Sequence, residues 1–160
     1  MGIKLDQLRE SSNLLHETGN QNLDQQEPTL EEAAEAKSSI MSMNLVDDDL
    51  MEAANACRNE CAAVAENAAA NEIEAPTNEV RSQMSEVSAE ATQLGDTTDA
   101  DARMTDGIDG HFGAAGNELR SSLEAGAREF HSTAEVTEQH SERIGTRASS
   151  MASKLRSEFP

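Results

Sequence analysis

Between Leu123 and Leu155, small or apolar residues return at alternating intervals of four and three: Leu123, Ala127, Phe130, Ala134, Thr137, Ser141, Ile144, Ala148, Met151 and Leu155. That spacing draws one stripe along one side of an α-helix and cannot be laid on a strand, whose side chains alternate every two residues. A helix takes most of its stability from burying such a face, so a stripe this long demands another helix to cover it. Thr137 and Ser141 weaken its middle, and Gly145 beside it costs about 1 kcal/mol relative to Ala. The helix should form with its middle as the least stable part.

Two earlier stretches repeat the pattern. Val80, Met84, Val87, Ala91 and Leu94 follow it, as do Leu50, Ala54, Cys57, Cys61, Val64 and Ala68. Only 2% of residues are aromatic, all of them Phe, while Ala is abundant. Ala buries little area, which suits long thin helices and not a thick globular core. The expected fold is therefore all-α, an antiparallel helical hairpin or bundle with an additional N-terminal helical arm.

Punctuation divides the chain into three parts. Residues 1–28 hold a short helix on Ile3, Leu5, Leu8, Leu14 and Leu15, followed from Glu17 to Pro28 by a polar stretch without period, which predicts a linker. Residues 29–75 form an acidic helical segment. Thr29-Leu30-Glu31-Glu32 has the form of a capping box, which predicts a helix running towards Met43, and Asp47, Asp48 and Asp49 offer a second N-cap. Pro76 then ends or kinks the helix. Residues 77–160 make a hairpin. Gly95 to Asp101 looks like an interruption, and residues 106–116, with four glycines in eleven positions, predict a turn or a loosened helix start.

Asp and Glu number 31 against 12 Lys and Arg, a net charge of −19. A nucleic-acid partner needs a basic footprint, which this balance excludes, and an anionic membrane surface is excluded in the same way. No apolar run approaches the roughly 20 residues of a membrane span. No basic region followed by an apolar run opens the chain, so a Sec-type signal peptide is not expected and synthesis in the cytoplasm is. Residues 1–110 carry 24 acidic and 6 basic side chains, whereas residues 111–160 carry 7 and 6. The long last helix can lie against the acidic part without strong repulsion. The acids of that part either attract a basic partner or only keep an Ala-rich chain soluble.

Groups that could carry chemistry do not assemble into a reactive constellation. Cys57 and Cys61 lie one helical turn apart on the apolar stripe, which predicts small buried side chains, with an oxidised bridge as the alternative. A zinc site would need further ligands at useful spacing. Fitting a calcium loop from Asp99 puts Arg103, Met104 and Gly110 at positions five, six and twelve, where an oxygen ligand, glycine and Glu are needed. The acids of residues 96–109 are better read as caps and solvated loop. His16, His111, His131 and His140 are scattered. No nucleophile elbow occurs, and no Gly-rich loop is followed by Lys-Ser or Lys-Thr. The sequence therefore predicts no enzyme, no metal and no cofactor, but a binding protein.

One stretch carries a family likeness. In His111-Phe112-Gly113-Ala114-Ala115-Gly116-Asn117-Glu118-Leu119, a ring residue is followed two positions later by Gly, with Leu119 eight and Leu123 twelve positions after the ring. This resembles the Trp-x-Gly turn of the WXG, or ESX-type, proteins of type VII secretion, with His111 in the place of Trp. The resemblance covers about residues 77–160. It implies a helical hairpin that dimerises into a four-helix bundle, export without a cleaved signal peptide, and service as a targeting partner for larger effectors, including LXG-type toxins. The family's export motif needs a Tyr, and this chain has none. On the resemblance, a partner would supply the signal.

The functional expectation is a small acidic helical adaptor for such an effector, with a structural coiled-coil scaffold as the alternative. Its partner is a helical domain of another protein or a second copy of the chain. An Ala-rich chain leaves part of its seam unfilled when alone. Met43, Val46, Leu50 and Val64, flanked by Asp47, Asp48 and Asp49, are the expected place for a partner helix with basic residues.

Overall fold

A computed structural model describes residues 2–160, with every side chain among them except that of Asp109. The chain is all-α, 92% helical, with no strand among the described residues. Among the described residues six α-helices follow one another: α1 Gly2–Asp24, α2 Glu27–Met41, α3 Asp48–Asn67, α4 Ala75–Met104, α5 Asp106–Phe112 and α6 Ala114–Glu158, with a π-helical stretch Ala68–Glu74 joining α3 to α4. Among the described residues, no helix is long and apolar enough to cross a membrane.

The residues form two compact units, and α1, α4 and α6 contribute to both. One unit gathers the chain up to His16 with Arg81–Glu142, and the other Glu17–Val80 with Arg143–Pro160. In the first, α4 runs antiparallel to α6: Arg81 Nε donates to Ser141 Oγ at 3.3 Å and Ser88 Oγ donates to Glu138 Oε1 at 3.0 Å. The α1 residues run parallel to α6, with the Arg9–Glu129 ion pair, the Ser12–Thr137 hydroxyl contact and the stacked rings of His16 and His140 in sequence order. Leu8, Ala91, Phe130 and Ala134 form the buried cluster, with Leu5, Val87 and Leu94 packed against it.

The α6 stripe is the one that the 4-3 alternation marks: from Ala127 to Leu155 its members are buried except half-buried Ser141, and Leu123 is half-buried. Thr137 is fully buried yet satisfied. Its Oγ1 donates to the Thr133 carbonyl at 2.7 Å and lies 2.8 Å from Ser12 Oγ. The expected interruption from Gly95 to Asp101 is instead continuous helix. Thr97 and Thr98 turn their hydroxyls back onto the carbonyls of Gln93 and Leu94 at 2.9 and 2.7 Å. A Cβ on Gly95 would sit 2.7 Å from the His131 ring, so this glycine lets α6 approach and does not break α4.

In the second unit, Leu23, Leu30, Ala69, Ile73, Ile144, Ala152 and Leu155 lie in the core. The polar stretch Glu17–Pro28, expected as a linker, is helical but for a turn at residues 25–26. Its cause is tertiary. Gly19 packs so close to Ile144 that an added Cβ would lie 2.6 Å from Cδ1, and Arg147 reaches Asp24 at 2.6 Å and Glu27 at 3.2 Å. The helix expected to start at Thr29 starts at Glu27, with Pro28 in the first turn and no side-chain cap at Gln26. Thr29 donates to Gln26 Oε1 at 3.3 Å, so no capping box forms. The cap at Asp47 is present, its carboxylate accepting from the Asp49 N–H at 2.9 Å.

Pro76 neither ends nor sharply breaks the helix. A proline inside an α-helix clashes with the carbonyl four residues back and leaves it without a donor. Here the preceding turn is π-helical, and the Ala75 N–H reaches the carbonyl of Ala70, five residues back. Pro76 thereby enters at the first turn of α4, where no donor is required.

Candidate protein-binding surface

The connection from α2 to α3 is short and its ends are well tied. Ser42 N–H bonds the Ser38 carbonyl at 3.0 Å, Met43 N–H bonds Ile40 at 3.3 Å, and the Asp47 cap opens α3. Between these ties the apolar side chains have little to cover them. Met41, Met43, Leu50 and Met51 are exposed, and Val46 is 91% exposed. Beside them lies a cavity of about 560 Å³ lined by Ile40, Met41, Met43, Met51 and Phe159, with Lys37 and Arg58 on its wall. These two cations are engaged within the unit: Lys37 pairs with Glu158 at 3.3 Å, and Arg58 donates to the Pro160 carbonyl at 2.8 Å.

Of the residues expected to receive a partner, Met43, Val46 and Leu50 are thus exposed around this corner, with Asp47, Asp48 and Asp49 beside them. Val64, 64% exposed, lines a different hollow with Cys57 and Cys61. Sequence reasoning missed Met41, Met51 and Phe159. The first two had a signal in the methionine density around residue 43, whereas Phe159 reaches the cavity only because the end of α6 lies against α2 and α3.

The α3 seam requires correction. Of Leu50, Ala54, Cys57, Cys61, Val64 and Ala68, only Ala68 is buried. Cys57 is exposed and Cys61 half-buried, so neither is the core side chain that the periodicity predicts. The buried line runs instead through Ala65, Ala68, Ala69 and Ile73. Arg156 fixes this face, bonding Glu66 at 2.8 Å and Glu74 at 2.6 Å. Its hydrogen bonds hold both carboxyls below the usual carboxylate range, and theirs raise the Arg156 guanidinium further above its ordinary value.

At the Gly-rich stretch, α5 ends on Phe112 and α6 starts on Ala114. Gly113 between them takes φ +54, a left-handed conformation that L side chains rarely adopt. His111 and Phe112 are both exposed there, as is Leu119, while Leu123 is half-buried. Among the acids expected as caps and loop, Asp99 and Asp96 lie on α4 at 3.3 and 3.7 Å from His131 Nε2. Set beside known proteins, the chain matches no family model, no curated protein and no solved structure.

Proposed function

We propose that this protein is a binding module, not a catalyst, and that it docks an amphipathic helix of a partner protein on the methionine-rich corner between α2 and α3. The observation that carries this reading is the concentration of exposed apolar side chains there: Met41, Met43, Val46, Leu50 and Met51 fall within residues 41–51. Exposed apolar side chains concentrated in this way point to an interaction site where scattered ones do not. Unbranched thioether side chains adapt to the shape of what they cover. Asp47, Asp48, Asp49 and Glu52 surround the apolar residues, so the fitting occupant is a helix with apolar residues on one face and Lys or Arg on its flanks. The resemblance of His111-Phe112-Gly113 to the Trp-x-Gly turn supports a reading in which that helix belongs to a larger secreted effector, LXG-type toxins among them. This chain would then be the targeting partner, and the effector would carry the export signal.

The test compares tagged parent with Leu50→Asp in a low-salt pull-down from the native host. Leu50 is exposed, so the variant should melt with the parent yet recover no partner, and replacing Asp47, Asp48 and Asp49 by Asn should slow association and reduce its salt dependence. Recovery of the chain alone, as a large stable assembly, would replace the adaptor with a self-assembling scaffold. Equal recovery by parent and Leu50→Asp would move the surface elsewhere.

A further inference from the structure

Cys57 and Cys61 sit on consecutive turns of α3 and line one hollow of about 360 Å³, walled by Ala33, Ala36, Val64 and Phe159 with Glu32 and Glu60 at its edge. Both side chains therefore open onto the same space. Neither belongs to the core, and neither is used by the corner described above.

Paired thiols can join directly or through a metal ion, and helix geometry discriminates between the two. A disulfide needs Cβ atoms about 3.5–4.5 Å apart, whereas residues four apart on a helix hold theirs at about 5–6 Å. A direct S–S bond would have to deform α3. An ion bound at about 2.3 Å from each sulfur, the length of a zinc–thiolate bond, fills a gap of up to about 4.6 Å between sulfurs with the helix intact. Zinc asks for four ligands, and no group of three or more His, Cys, Asp or Glu side chains among the described residues is placed to hold an ion. A soft ion satisfied by two thiolates fits the ligands that are there.

We infer that Cys57 and Cys61 form a two-thiolate clamp for monovalent copper. The ion arrives already as copper(I), so no electron is transferred. Two S–H bonds break, two Cu–S bonds form, and two protons leave to solvent. Glu32 and Glu60 favour the approach of a cation.

The experiment is an anaerobic copper(I) titration against a competing bicinchoninate chelator, with native mass spectrometry for stoichiometry. The parent should take one ion per chain as a monomer and develop an ultraviolet thiolate-to-copper band. Cys57→Ser and Cys61→Ser should each lose both while keeping the parent's helicity, since neither side chain is in the core. The decisive variant combines Cys61→Ser with Ala62→Cys, which keeps two thiols but turns the second about 100° around the helix. It should bind no better than the single variants. Equal binding by parent and displaced pair would mean an adventitious ion only and would overturn the clamp. So would one ion shared between two chains, or ready closure to an intrachain disulfide by oxidised glutathione without loss of helicity.

Discussion

Phe130→Ala removes the only aromatic ring from the cluster of Leu8, Ala91, Phe130 and Ala134. The ring is 2% exposed, so its full transfer free energy is at stake. Two of its neighbours in the cluster are alanines, which have no rotamer with which to fill the space left behind. Leu5, Val87 and Leu94 pack from the margin and can recover only part of it. The cost should therefore fall in the upper half of the roughly 3–5 kcal/mol seen when buried Phe is cut to Ala. At about 2–4 °C per kcal/mol for a chain of this size, the melting temperature should drop by about 8–20 °C. Urea titration followed by far-UV circular dichroism gives the free energy, and a thermal scan gives the midpoint. Phe112→Ala is the matched control. That ring is 67% exposed beside Gly113, and its removal should stay within about 0.5 kcal/mol of the parent. A Phe130→Ala protein melting with the parent, or a Phe112→Ala protein losing as much, would refute the assignment of the α6 seam.

Gly19→Ala would ordinarily gain about 1 kcal/mol as a helix-interior glycine replaced by alanine, but its Cβ would meet Ile144 Cδ1 at 2.6 Å and the change should destabilise. In an Ile144→Val background, which removes that methyl, the same substitution should cost less or gain, and additive effects in the four-protein cycle would exclude the contact. The carboxyls of Glu66 and Glu74 are depressed by Arg156, so their contribution to stability is present above the ordinary glutamate range of about pH 4.3 and is lost as pH falls through their lower folded values. Arg156→Gln should lower stability at pH 7 and reduce its acid-side decline, as measured by urea midpoints across pH 2–7. A variant with the parent's full acid dependence would assign that decline to other groups.

The sequence made α6 and the centre of α4 legible because their stripes contain Phe, Ile, Leu, Met and Val, which distinguish a buried face from an exposed one. The same spacing failed on α3, where Ala and Cys populate several faces and a rotation of one residue changes little in the pattern. Asp47 was legible as a cap because capping is local. The helicity of Glu17–Asp24 was not, because it depends on Ile144 and Arg147, more than a hundred residues away in the chain. Thr97 and Thr98 read as a break, and in the helix their hydroxyls bond back to its own carbonyls. At the candidate site, Met43, Val46 and Leu50, expected to receive a partner, are exposed. Met51 stood in a methionine-dense stretch, whereas Phe159 became visible only once α2, α3 and the end of α6 were brought together.

The π-helical turn ahead of Pro76 also governs what lengths this part of the chain can take. Through it, buried positions recur every four residues, at Ala65, Ala69, Ile73 and Thr77, before the interval shortens to reach Val80. One more residue is thus accommodated than an α-helix would hold over the same number of turns. Ala68–Ala75 is therefore the place on this run where evolution could delete a single residue, with Pro76 replaced by a residue that carries an N–H, and leave the faces of α3 and of the first turn of α4 pointing as they do now. A deletion anywhere else between Ala65 and Val80 would rotate every following side chain by about 100°.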